Sequence, residues 1–200
     1  MIKSLTEEVC EKLRDDIVGL RMAPGAKVSE AKLAERYQVS RAPVRSAIER
    51  LRLEGLVVVK PQVGTIISPL SFEGALEVLG VRRLLEPAAA ETAAARRTDA
   101  DARALREAGG AGLAGAVHEV IRARCGNAEM ARLLRAHQGV VERVLRAAAA
   151  DAQPPRPVEL EAVAEALIRR DPAAARRATG EYLAALARHI RGLAPAREPA

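Results

Sequence analysis

Two hundred residues suffice for one large domain or two small ones, each able to bury a core of its own. Nearly half the residues are apolar, yet Tyr37, Phe72 and Tyr182 are the only aromatics; such a core favours closely packed helices and leaves no stacking platform for single-stranded nucleic acid. The net charge is +6, and the stretch from Lys27 to Lys60 carries eight basic residues against four acidic ones, a local excess that points to a polyanionic partner.

The first predicted element is an amphipathic helix from about Ser4 to Leu20, with Val9, Leu13 and Ile17 recurring at i, i+4 and i+8 between charged positions. This beginning is too charged for a signal peptide, and no run of about 18 apolar residues exists to cross a membrane, so the expected location is cytoplasmic, with no membrane partner. Cys10 and Cys125 are far apart and read as small apolar residues in a reducing compartment. Gly19 and Pro24-Gly25 stop the first helix. Ser29 caps a short second helix that turns Leu33 and Ala34 inward and ends near Tyr37, and Ser40 caps a third, with Pro43 tolerated in its first turn and Gly55 at its end. The period then changes from helical to alternating. Leu56 to Val59, a turn through Lys60-Pro61-Gln62-Val63-Gly64, and Thr65 to Ile67 read as a β-hairpin with its tip near Gly64.

From Ser71 onward every signal is helical. One run reaches about Arg97, with Pro87 predicting a kink or a break. Thr98-Asp99 starts a short helix, which GGAGLAG at residues 109–115 interrupts. Residues 116–124, Asn127 to Ala150, Pro157 to Arg170 and Pro172 to Gly192 complete a bundle, with a loop at 150–155 and a frayed tail. The fold class is therefore mainly α. A winged helix-turn-helix (three helices plus a β-hairpin) occupies residues 1–70, and an all-α helical bundle for dimerisation and effector binding occupies residues 71–200.

In the third helix Val44, Ile48 and Leu51 share one face, while Arg41, Arg45 and Arg52 lie opposite with Ser46 and Glu49. Arg41 and Arg45 fall in the first turns, where a helix in the major groove meets base edges. Their guanidinium forks suit O6 and N7 of guanine, and the small Ala42 allows close approach.

The stretch PGAKVSEAKLAERYQVSRAPVRSAIERLRLEGLVVVKPQVGTIIS resembles the DNA-binding domain of the GntR family of bacterial regulators. Pro24-Gly25, Ser29-Glu30, Leu33-Ala34, Val39-Ser40-Arg41, Pro43-Val44-Arg45, Leu51, Glu54-Gly55-Leu56 and Gly64 carry the match. The resemblance implies that Arg41 and Arg45 read an operator and that Gly64 lets the wing approach the minor groove. Lys32, Ser40 and Ala42 complete the expected DNA-facing set on the helices. Family wings often place Arg before the glycine; Val63 stands there, leaving Lys60 and Gln62 to serve the wing.

EVLGVRRLLEPAAAETAAARRTDAD and the later HEVIRARCGN resemble the helical FCD domain of the FadR subfamily, with Arg82, Glu86, Pro87, His118, Asn127 and Asp171 as anchors. That resemblance implies a metal held by one Asp and three His beside a small carboxylate. Ala114, Leu160 and Tyr182 stand at three of those four positions, and only His118 remains. Glu159 and Glu181 neighbour two of them but are offset by about 100° around their helices. No metal and no cofactor are expected. Arg82, His118 and Tyr182 are left as effector-binding candidates for a small carboxylate, while His137 and His189 read as packing or surface residues. Catalytic residues are not expected either. There is no GxxxxGK[ST] and no HExxH, and the three histidines lack acids at i±4. The expected function is a sequence-specific, homodimeric transcription regulator, a repressor on a double-stranded DNA operator with an inverted repeat. Two readings stay open for the bundle: release by a small organic acid, or loss of effector control.

Overall fold

The structure is a computed structural model that describes residues 4–110, 112–148 and 158–193. Among them the chain runs α1 (Leu5–Val18), α2 (Glu30–Tyr37), α3 (Arg41–Leu53), β1 (Val57–Lys60), β2 (Gly64–Ile67), α4 (Phe72–Arg96), α5 (Asp99–Glu107), α6 (Gly112–Arg124), α7 (Ala128–Ala148), α8 (Val158–Ile168) and α9 (Pro172–Leu193). Three helices before one hairpin, then helices through Leu193, is the predicted mainly α order. The chain divides into two compact units, Met1–Ser71 with Gln138–Asp151 and Phe72–His137 with Ala152–Ala200. The second half of α7 therefore counts with the first unit, a grouping that nothing in residues 138–151 announces locally.

In the first unit the caps are local chemistry. Ser4 and Glu7 form a reciprocal capping box at the start of α1, and the Ser29 hydroxyl accepts from the Lys32 amide at 3.4 Å. The core gathers Leu13 and Ile17 from α1, Val44 and Leu51 from α3, Leu56, and Ile67 from β2, all fully buried. Each such side chain contributes about 1.5–3 kcal/mol relative to exposure. From α7, Val140 packs against this core, and a Cβ on Gly139 would stand 3.3 Å from Val18 and 3.4 Å from Leu56. Arg143, itself buried, donates from Nη2 to the Ser68 carbonyl at 2.5 Å.

The wing pairs Val57 with Ile67 through Lys60 with Gly64, so the turn lies at residues 61–63, just before Gly64. Gln62 and Gly64 have φ of 62° and 98°, the left-handed region that the tight turn requires and that glycine enters without a Cβ penalty. A third, minimal strand was not predicted: Lys27 bridges Ile66, with Val28 N–H donating to the Thr65 carbonyl at 2.8 Å. Its AKVS segment is too short and polar to show a period of two.

In the second unit α4 packs along α9, and α6, α8 and α5 close around them. The contact between the long helices is lined by small buried residues, Ala89, Ala90, Ala93 and Ala94 from α4 and Ala175 and Ala178 from α9, which is how an aromatic-poor chain fills a core. The expected break at Pro87 does not occur, because α4 runs through it as one element. Pro87 costs one main-chain hydrogen bond, and burial of Leu79, Arg82 and Glu86 before it and of Ala89, Ala90, Ala93 and Ala94 after it offsets it. The expected interruption at 109–115 is shorter than predicted: α6 begins at Gly112 and includes Gly115. The N-termini of the Thr98-capped helix and of the Asn127-capped helix follow the sequence, with Thr98 Oγ1 accepting from Asp101 N–H at 3.3 Å and Asn127 Oδ1 from Met130 N–H at 3.0 Å. Arg97 ties the C-terminus of α8, donating to the carbonyls of Leu167 at 3.1 Å and Ile168 at 2.6 Å. The loop expected at 150–155, the tail and the exact end of the Asn127 helix lie outside the described residues.

Candidate functional site

Helix α3 is amphipathic because its burial repeats with the helical period. Pro43, Val44, Ala47, Ile48 and Leu51 are buried, and Arg41, Ala42, Arg45, Ser46, Glu49 and Arg52 are exposed. Lys32 on α2 and Ser40, Lys60, Gln62 and Gly64 are exposed as well. Ser40 is the N-cap of α3, yet its side chain makes no capping bond. Its hydroxyl and the first-turn amides therefore remain available to an outside acceptor. All eight expected DNA-facing residues thus belong to the first unit and meet solvent.

The charges on this face are partly paired. Glu30, the first residue of α2, accepts from Arg45 Nε at 3.1 Å and from Arg45 Nη2 at 2.9 Å. Those bonds outweigh the opposing effect of burial and, with the charges of Arg45 and Arg41, hold the Glu30 carboxyl below its ordinary value. Glu49 pairs in the same bidentate way with Arg52. Spacing along the chain had shown Arg41 and Arg45 on one face. It did not show the Glu30 contact, which spans two helices.

In the second unit the effector candidates do converge. Arg82 donates from Nε to Glu86 Oε2 at 2.7 Å and from Nη2 to Glu86 Oε1 at 3.0 Å. His118 Nδ1 lies 3.0 Å from Glu86 Oε1, and the rings of His118 and Tyr182 are 6.0 Å apart and tilted by 47°. All four side chains are buried. Burial drives the Glu86 carboxyl upward, but Arg82 and His118 outweigh it and hold the group well below the usual carboxylate range. His137, read from sequence as a packing or surface residue, senses the same charges: burial and then Arg82 depress its basicity, and its buried Nδ1 has no hydrogen-bond partner among the described residues. The histidines lack acids at i±4, but an acid reaches His118 from another helix, which no spacing rule within one helix reveals.

The residues do not fit the metal that the resemblance implies. Ala114 offers no donor, Leu160 is a buried hydrocarbon and Tyr182 a buried phenol, while one nitrogen of His118 already faces Glu86. Glu159 is half-buried and Glu181 exposed, and among the described residues no three His, Cys, Asp or Glu side chains converge on one point.

Comparison with known proteins gives consistent matches. Residues 5–67 match bacterial regulatory proteins of the gntR family, and residues 77–185, more than half of the chain, match the FCD domain. The chain is 32% identical over 103 residues to the HTH-type transcriptional repressor RspR of Escherichia coli K12, covering 52% of this chain and 45% of that one. It is 38% identical over 103 residues to the HTH-type transcriptional regulator LutR of Bacillus subtilis, covering 44% and 47% respectively. The alignments thus span about half the length of these curated relatives. Among solved structures, a GntR transcriptional regulator from Rhodococcus sp. RHA1 superposes with a TM-score of 0.72 at 24% identity, over 95% of this chain and 99% of that one. McbR/YncC of E. coli gives 0.74 at 19% identity, over 96% and 99%. At these identities the structural likeness is one of fold.

Proposed function

We propose that this chain, which belongs to the GntR family of bacterial regulatory proteins, represses transcription as a homodimer bound to a short inverted repeat. Membership makes it a DNA-binding transcription regulator with an FCD effector-binding domain, and not an enzyme. The single observation that carries the proposal is the exposed face of α3, where Arg41, Ala42 and Arg45 stand opposite the buried Val44, Ile48 and Leu51. Arg41 and Arg45 meet base edges in the major groove. Lys32 and Ser40 hold phosphates, and Lys60 and Gln62 bring the wing, with Gly64 behind its turn, to the neighbouring minor groove. Residues 1–70 supply DNA contact and residues 71–200 supply dimerisation and the effector site, in a cytoplasmic protein. The repressor assignment is supported by its relative RspR, a transcriptional repressor.

The test is a duplex selected from a randomised library by the full chain. Arg45→Ala should then weaken that duplex by about 1–3 kcal/mol and relax preference at one guanine per half-site. Lys32→Ala or Lys60→Ala should weaken all duplexes alike, because phosphate contacts carry no sequence information. Normal binding of the selected duplex by Arg45→Ala overturns the assignment.

For the helical domain the proposed effector is a small carboxylate meeting Arg82, His118 and Tyr182. A second reading, regulation without effector control, is favoured by one observation: Glu86 already occupies both donors on one edge of the Arg82 guanidinium. Binding of the selected duplex, titrated with a panel of small carboxylates, separates the two. Release by one member supports the effector, and indifference to the whole panel supports the second reading.

A further inference from the structure

A guanidinium presents two edges with paired N–H donors, the side edge of Nε and Nη2 and the end edge of Nη1 and Nη2. In Arg45 the side edge is occupied, with Nε 3.1 and 3.2 Å from the two Glu30 oxygens and Nη2 2.9 Å from Oε2. With the side edge taken, the end edge, where Nη1 and the second N–H of Nη2 stay open, is the pair of donors left to meet O6 and N7 of a guanine. Both residues stand at the solvent-facing side of the first unit, with Arg45 73% exposed and Glu30 35% exposed at the side chain. The backbone from which Glu30 projects is fixed, because Glu30 begins α2 directly after the Ser29 cap, and α2 is held by the buried Leu33 and Ala34.

We infer that Glu30 is a specificity-determining positioning residue, which holds the side edge of Arg45 so that its end edge is presented to one guanine of each half-site. The inference rests on the reading that Arg45 meets a base. An unpaired arginine on this surface would sample many rotamers and bond any phosphate within reach, contributing affinity without sequence information. Fixing it beforehand removes the ordering cost at the moment of base contact. Neutralising it also withdraws one cation from the nonspecific attraction. Both effects raise discrimination rather than affinity, which is why an acid is useful in the middle of a basic face.

The experiment measures binding of the full chain to its library-selected duplex, to the same duplex with the Arg45-dependent guanine changed, and to an unrelated duplex, over a salt series. Glu30→Gln should lower discrimination at that guanine roughly three- to tenfold. It should tighten the unrelated duplex and steepen its salt dependence by about one unit of log K against log salt. Glu30→Asp keeps the charge but withdraws the carboxylate by one methylene; it should lose discrimination without gaining nonspecific affinity. In the Arg45→Ala background, Glu30→Gln should cause no further loss at that guanine. If Arg45→Ala relaxes the guanine but Glu30→Gln leaves it intact or sharpens it, the positioning role is wrong and Arg45 reads DNA unaided. If Arg45→Ala itself leaves the guanine preference unchanged, the underlying base-reading assignment fails, and this inference with it.

Discussion

Removing one member of the buried ionic cluster should be far more damaging than removing both. Arg82 and Glu86 are each about 2% exposed and bonded at 2.7 and 3.0 Å, and Glu86 also faces His118 Nδ1 at 3.0 Å. Glu86→Leu leaves a guanidinium in the interior without an anion, and Arg82→Met leaves a carboxylate there with only an imidazole. Breaking a buried pair in this way costs about 3–5 kcal/mol. For a unit of this size that shifts the thermal midpoint by roughly 10 °C or more. The double variant Arg82→Met with Glu86→Leu removes both charges and fills the space with apolar atoms. What persists is the lost partner of His118, worth about 1–3 kcal/mol, so the double variant should stand well above either single one. Urea unfolding of the four proteins at neutral pH, followed by circular dichroism, gives the full cycle. Single variants within about 1 kcal/mol of the parent, or a double variant whose loss equals the sum of the two, would show that the pair is hydrated and the reasoning wrong.

Three other outcomes are expected. On the exposed side of α4, Val81 is 43% and Leu84 80% exposed, and we propose this stripe as part of the dimer contact: the full chain should sediment as a dimer, and Val81→Glu with Leu84→Glu as a monomer, whereas a dimeric variant removes the stripe from the interface. Asp101 caps α5 and bonds Arg124; burial pushes its carboxyl up, but the bonds from Arg124 and Thr98 more than offset that and hold it at about 2 against an ordinary 3.8. A depressed carboxyl stabilises above its unfolded value and loses that contribution as pH falls through the folded one, so the stability gap between parent and Asp101→Asn should be full above about pH 4 and close toward pH 2; a gap that stays constant contradicts it. Elemental analysis of protein purified without a histidine tag should find zinc, nickel and manganese well below one per chain, while a near-stoichiometric metal lost on His118→Ala would restore the ligand site that Ala114, Leu160 and Tyr182 argue against.

The first unit was legible from the chain because its determinants are local. Ser29, Ser40, Gly55 and Gly64 mark ends and turns within a few residues, and Val44, Ile48 and Leu51 reveal a face by spacing alone. What stayed hidden there is non-local: the Lys27 bridge to Ile66, the Glu30 carboxylate on Arg45, and the Gly139–Val140 segment against Val18 and Leu56. In the helical unit, helix order was legible from caps such as Thr98 and Asn127, but helix continuity was not. Pro87 and the glycines at 112 and 115 are poor local helix formers that packing overrides. Arg82, His118 and Tyr182 were recognisable as a set only through the family resemblance. The residue that joins two of them, Glu86, shows in the sequence as an i+4 neighbour of Arg82, and its contact with His118 exists only in three dimensions.

The Arg45–Glu30 and Arg82–Glu86 pairs share a bidentate geometry and differ in solvent, and that difference separates their roles. At Arg45 and Glu30 water competes for both groups, so the pair is worth little as stability. Its modest strength is enough to favour one orientation of Arg45 while leaving the end edge open to a base, which makes it suited to orienting a contact. Arg82 and Glu86 are buried, out of reach of the bulk solvent that could take over either charge. An incoming carboxylate would have to displace or join an anion already held at 2.7 Å, with desolvation of its own to offset. A ligand that merely adds negative charge is poorly matched to that site. One that presents a hydroxyl or amide to the unpartnered Nδ1 of His137, which senses the charges of Arg82 and Glu86, would relieve a buried polar group at no electrostatic cost. The carboxylate panel is therefore best built from hydroxy and amino acids, whose second polar group can meet this nitrogen, and set against plain acids of the same length as the control.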